Sequence, residues 1–176
     1  IGRARNAGLD WNSSNSGLNA LKANSLAINS QTPNKIYAGL APKGVFRSTS
    51  GGLNWRETSV TDSSTSVIID PLNPSNVYAG TAGDIFAGIV SGIRKSTDDG
   101  ETWISASSGL PVLSVATLAI DPLSPSTLYG SGSSTNGGRI FKSSNSGTSW
   151  DILDTGIPYD RIDSFAIDPQ NSANIY

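Results

Sequence analysis

Ser96-Thr-Asp-Asp-Gly100-Glu-Thr-Trp103 is one of four versions of a single eight-residue segment in this 176-residue chain. Ser143-Ser-Asn-Ser-Gly147-Thr-Ser-Trp150 follows it, with Asn145 at the position of Asp98. Ser48-Thr-Ser-Gly-Gly52-Leu-Asn-Trp55 precedes it, with Ser50 at that position. The first version, Ala4-Arg-Asn-Ala-Gly8-Leu-Asp-Trp11, lacks the leading serine but keeps Asn6. The four tryptophans of the chain, Trp11, Trp55, Trp103 and Trp150, are 44, 48 and 47 residues apart, and each has a glycine three residues before it. An even spacing of this length is the signature of a repeat architecture, in which each unit buries its apolar face against the next.

A second landmark runs in phase with the first. Leu26-Ala-Ile-Asn29, Val67-Ile-Ile-Asp70, Leu118-Ala-Ile-Asp121 and Phe165-Ala-Ile-Asp168 recur between the tryptophans, and a tyrosine stands eight residues after each closing Asn or Asp: Tyr37, Tyr78, Tyr129 and Tyr176. Pro71, Pro122 and Pro169 follow the three aspartates. The short apolar run reads as a strand, A, buried on both faces. The Asp-Pro turn stops it, because proline offers no N–H to a ladder and aspartate accepts bonds from the turn backbone. Strand B is the tyrosine segment, as in Val77-Tyr-Ala-Gly80, and strand C the run before the eight-residue segment, as in Ile93-Arg-Lys-Ser96. Strand D begins at each tryptophan. Four short strands with turn signals every ten or so residues predict a propeller blade. The expected fold class is therefore all-β, a partial β-propeller of about four four-stranded blades, with the eight-residue segment in each C–D turn.

The segment resembles the Asp box, S-x-D-x-G-x-T-W, also called the BNR repeat, and the resemblance covers essentially the whole chain. Asp boxes occur in sialidases, xyloglucan-cleaving glycosidases, sortilin-type receptors and photosystem II assembly factors. The Asp-Pro and tyrosine landmarks make this chain look most like the glycosidase and assembly-factor repeats. Such boxes are structural: the Asp or Asn closes a turn on its own backbone, the glycine takes φ > 0, and the tryptophan fills the space between neighbouring sheets. That assigns Asn6, Gly8, Trp11, Ser48, Gly52, Trp55, Ser96, Asp98, Gly100, Thr102, Trp103, Ser143, Asn145, Gly147 and Trp150 to the scaffold. The resemblance also implies that the boxes lie on the face away from any binding site.

Composition narrows the chemistry. The chain has no Cys and no His, which removes disulfides, thiol nucleophiles, Ser-His-Asp triads and ordinary zinc sites. No metal or other cofactor is expected. Twelve basic and 14 acidic residues give a net charge of −2, which offers nothing to nucleic acid, and no apolar run is long enough to span a bilayer as a helix. A sialidase needs three converging arginines and a Tyr-Glu pair. Arg47 and Arg94 read as corresponding repeat positions before the box, Arg3 falls there too, and the chain has only Glu57 and Glu101 as glutamates. A xyloglucanase-like site needs two carboxylates across a cleft. Asp70, Asp121 and Asp168 belong to turns and Asp98 to a box, which leaves Asp62, Asp84, Asp151, Asp154, Asp160 and Asp163.

Loop lengths locate a candidate face. The A–B and C–D spans are constant, whereas Tyr to Trp varies from 18 to 25 residues, chiefly in the B–C loop. B–C and D–A loops emerge together opposite the boxes, and loops on a rigid scaffold commonly carry function. The longest B–C insertion holds Asp84 and Phe86, and the D–A loop after Gly156 presents Tyr159, Asp160 and Arg161. These five are the candidate ligand-face residues; Phe46 and Phe141 are expected in the core. Residues 1–176 are expected to form one repeat domain, a segment of a larger propeller truncated at both ends, with the remaining blades as its neighbours. The expected function is a non-catalytic scaffold and binding segment of an exported or extracellular propeller, its ligand a glycan or a protein surface. The alternative is part of the propeller of a glycoside hydrolase, xyloglucanase-like more than sialidase-like.

Overall fold

The computed structural model describes residues 1–4, 7–18, 22–83, 92–110, 114–134, 137–153 and 162–176. Among these residues the regular structure is all strand. A hairpin of β1 (Gly2–Ala4) and β2 (Trp11–Ser13) opens the chain. Three four-stranded sheets follow. The first blade is β3 (Lys22–Ile28), β4 (Ile36–Ala41), β5 (Gly44–Ser48) and β6 (Arg56–Glu57). The second is β7 (Ser64–Ile69), β8 (Val77–Thr81), β9 (Gly92–Ser96) and β10 (Ile104–Ser105). The third is β11 (Ser114–Ile120), β12 (Leu128–Ser134), β13 (Gly137–Ser143) and β14 (Asp151–Leu153). Each sheet is antiparallel, with its strands side by side in chain order. A bridge between Ile167 and Ile175 begins a further A–B pair. The chain is thus a partial β-propeller of three full blades flanked by a C–D hairpin and the start of an A–B pair, in line with the expectation of about four blades.

The turns are built by the residues the repeat keeps. Asp70 Oδ1 accepts the amides of Leu72 and Asn73, both at 2.9 Å, and Asp121 Oδ1 those of Leu123 and Ser124. Asn29 and Asp168 close the same turn in their own repeats. In the three boxes that keep the leading serine, its hydroxyl accepts the amide of the glycine four residues on: Gly52 to Ser48, Gly100 to Ser96 and Gly147 to Ser143, at 2.8–2.9 Å. Two consecutive residues, such as Asp99 and Gly100, take positive φ at the tip. Asp98 spans the box, accepting Thr102 N–H at 2.9 Å and the Thr102 hydroxyl at 2.6 Å. Three hydrogen bonds to the charged carboxylate, first that of the Thr102 hydroxyl, then those of the Thr102 amide and the Ser96 hydroxyl, lower its pKa to about 2. Asn145 bridges the same positions in the third blade, accepting Ser149 N–H on Oδ1 and donating from Nδ2 to the Ser149 hydroxyl, both at 2.9 Å.

The core lies between blades. Tyr78, Ile93, Val115, Leu118, Leu128, Phe141 and Trp150 pack the second blade against the third. Tyr37, Val45, Val60, Val67, Val77 and Ala79 pack the first against the second. Phe46 and Phe141 are core residues, as expected. Trp55 and Trp150 are buried between sheets, whereas Trp103 is only half-buried, which corrects the expectation for that box. Among the described residues no further strand covers Trp11, Leu26 or Ile28, which are exposed. Asn6 lies outside the described residues; Gly8 takes φ +85° as the box requires.

The tyrosines and the residue before each box clasp one blade to the next. Tyr37 Oη donates to Asp99 O (2.8 Å), and Arg47 Nη1 donates to the same carbonyl (2.6 Å). Tyr78 Oη and Lys95 Nζ donate to Ser146 O one blade further on. Arg47 therefore corresponds to Lys95. Arg94, read from the sequence as its counterpart, is one residue out of register, on the opposite side of its strand, and pairs with Asp62 (3.1 Å). Burial is the first cause that pushes both phenols up to about 12, with nearby carboxylates adding to it.

Candidate functional site

At the end of the strands opposite the boxes, the described roots of the long B–C insertion are held by backbone contacts. At the mouth of the long B–C insertion, the Thr81 hydroxyl accepts Gly92 N–H and donates to Gly92 O, each at 3.1 Å. Ala82 N–H donates to Ser63 O (2.8 Å), and Ala82 forms a β-bridge with Ser114 of the third blade. The insertion is thus rooted against the D–A connection before β7 and the start of β11. Asp84 and Phe86 lie outside the described residues, as do Tyr159, Asp160 and Arg161. The structure fixes the frame from which the B–C insertion springs.

Most acids for which a partner is described are engaged in holding the scaffold. Asp70, Asp121 and Asp168 close A–B turns. Asp98 closes its box. Asp62 pairs with Arg94, Asp99 with Lys35, and Glu101 with both Arg47 and Arg56. Arg47 and Arg56 hold Glu101 ionised, keeping its carboxyl below the usual carboxylate range; the Arg47 hydrogen bond is the first cause. Of the acids not locked by a repeat motif, Asp151 is exposed at the start of β14, Asp163 is already engaged, and Asp154 lies outside the described residues. No group of three or more potential metal-ligating side chains occurs among the described residues.

Two structural positions escaped the sequence reading although both repeat. The A strands β3, β7 and β11 each carry a β-bulge, and in the first two the hydroxyl residue after it reaches the next blade. Ser25 Oγ accepts Val67 N–H (3.0 Å) and Ser66 Oγ accepts Leu118 N–H (3.2 Å). Thr117 and Ser164 fill the same place before Leu118 and Phe165, so a hydroxyl before every A-strand apolar trio was the available signal. The second is the Ser-Gly-Leu turn at 16–18 and 108–110. Trp55 N–H donates to Ser16 O and Trp150 N–H to Ser108 O. A Cβ on Gly17 or Gly109 would stand 2.1 or 2.4 Å from the tryptophan carbonyl, so only glycine permits that approach.

Repeat, sheet order and inter-blade packing define this chain as consecutive blades of a β-propeller. No family model matches it. It is 27% identical over 138 residues to a xyloglucanase from a Paenibacillus species, a match covering 78% of this chain and 13% of the xyloglucanase. An ancestral GH74 enzyme superposes with a TM-score of 0.71 at 22% identity, over 93% of this chain and 22% of the enzyme. YCF48 bound to a peptide superposes with a TM-score of 0.55 at 14% identity, over 78% of this chain and 42% of YCF48. The chain therefore spans about a quarter or less of the length of the enzymes it matches.

Proposed function

We propose that these blades form one repeat domain within the larger propeller of an exported, xyloglucanase-like glycoside hydrolase. In this reading they serve as scaffold and contribute a glycan-binding face opposite the boxes. The observation that carries it is the 27% identity to a xyloglucanase across 138 residues, a stretch too long to lie within fewer than three repeats. Two features of the molecule support the scaffold role. The repeat-locked carboxylates are consumed by turns and boxes, and the charges between blades are consumed by ion pairs. The loops left for ligand are those of residues 82–91 and 154–163. Their polar and aromatic residues, Asp84, Phe86, Tyr159, Asp160 and Arg161, suit hydrogen bonding to sugar hydroxyls and stacking on a sugar face.

The test is binding and hydrolysis of xyloglucan by the full-length chain, followed by alanine at Asp84, Tyr159, Asp160 and Arg161 in turn. Each is expected to weaken xyloglucan retention in affinity electrophoresis, while Leu72→Ser on the box side leaves it unchanged. A full-length protein that neither retains nor cleaves xyloglucan, or one weakened only by the box-side change, refutes the proposal.

A further inference from the structure

The junction between the first and second blades is built differently from those on either side. At the other two, the indole N–H groups of Trp55 and Trp150 donate to Ser14 O (3.0 Å) and Ala106 O (2.8 Å) of the preceding sheet. The backbone amides of the same tryptophans are held by Ser16 and Ser108. Phe46 and Phe141 fill the space beside them, Phe141 edge-on to Trp150 at 5.4 Å. Between the first and second blades these elements are replaced. Trp103 Nε1 turns back to Gly100 O of its own box (3.1 Å). Arg94 stands where Phe46 and Phe141 stand, and Ser64 where Val115 stands. Val60-Thr61 takes the place of the Ser-Gly-Leu turn.

The ion pairs between described residues cross this junction. Lys35 pairs with Asp99 (2.8 Å), Arg56 with Glu101 (2.9 Å), Arg47 also with Glu101, and Arg94 with Asp62 (3.1 Å). Each pair joins the first blade, or the connection leaving it, to the second. The paired side chains keep between 10% and 67% of their surface in water, so salt screens them. An aliphatic cluster remains underneath, but without the aromatic pair and the tryptophan clasp found one junction further on.

We propose that the junction between the first and second blades is a salt-dependent joint, the place where the described blades part first. Motion there has a consequence on the loop face. Ala82, at the root of the long insertion, is bonded to Ser63 and so travels with the second blade, whereas the 41–44 turn travels with the first. Parting of the joint changes the distance between them.

A matched pair of amides reads this out, because Val67 N–H crosses the joint to Ser25 Oγ and Leu118 N–H makes the same bond across the next junction. Hydrogen exchange of the full-length chain would be compared at about 10 mM and about 1 M NaCl, over which the screening length falls from about 30 to about 3 Å. Exchange at Val67 is expected to accelerate roughly fivefold to tenfold with salt, while Leu118 changes less than about twofold. Arg94→Phe, which restores the aromatic seen in the other blades, is expected to slow exchange at Val67 and flatten its salt response. Equal salt responses at the two amides, a larger response at Leu118, or an unchanged Val67 response in Arg94→Phe would overturn the proposal.

Discussion

Trp150→Ala probes the packing between blades most directly. Trp150 is 3% exposed, stands edge-on to Phe141, and donates its indole N–H to Ala106 O across the junction. A buried tryptophan covers roughly 200 Å², and at about 25 cal/mol per Å² its burial contributes up to about 5 kcal/mol. Truncation of buried aromatics costs about 3–5 kcal/mol, and the carbonyl left without its donor places this site toward the upper end. With a urea slope of about 2 kcal/mol per M, the midpoint falls by about 2 M. Trp103, half-buried and bonded within its own box, is expected to lose about half as much, roughly 2 kcal/mol and about 1 M. Urea unfolding of the two variants, followed by far-UV circular dichroism, tests the order. Equal midpoint shifts in both would refute the claim that burial between sheets sets the contribution of each box.

Gly100→Val is expected to cost about 2–4 kcal/mol, read as a fall in the urea midpoint. It forces a β-branched residue to φ +79° and sets a Cβ 2.8 Å from the Tyr37 ring. Asp98, with a folded pKa of about 2 against an ordinary 3.8, stabilises its box above about pH 4 and loses that contribution as pH falls through about 2. Exchange at the Thr102 amide should therefore accelerate over this window while its counterpart Ser149, held by the non-titrating Asn145, does not follow. Tyr37 and Tyr78 have phenols raised from 10.0 to about 12, so their contribution is complete below about pH 10 and lost as pH rises through about 12. Ultraviolet titration should show two of the five tyrosines ionising last, together with unfolding.

The repeat was legible because it is local. Asn29, Asp70, Asp121 and Asp168 close turns with amides two and three residues ahead, and each box closes within six residues. Short-range hydrogen bonding of this kind is written in residue type and spacing, so blades and turns could be assigned from the chain alone. Counted back from the box serine, Arg47 corresponds to Lys95 and Arg94 to Phe46, so the sequence already holds the register. The structure adds that Lys95, not Arg94, reaches the next box.

What the sequence determined by itself was the unit: four short strands, an Asx-closed A–B turn, and a box whose glycine tolerates positive φ. What only the tertiary structure decided was how units differ once they are neighbours. Trp55, Trp103 and Trp150 occupy equivalent places in the repeat, yet two are buried and one is not. The difference lies in residues about 40 positions away and in the substitution of Arg94 for an aromatic. Burial and ion pairing depend on what the next sheet brings into contact, and that contact exists only after the blades have packed.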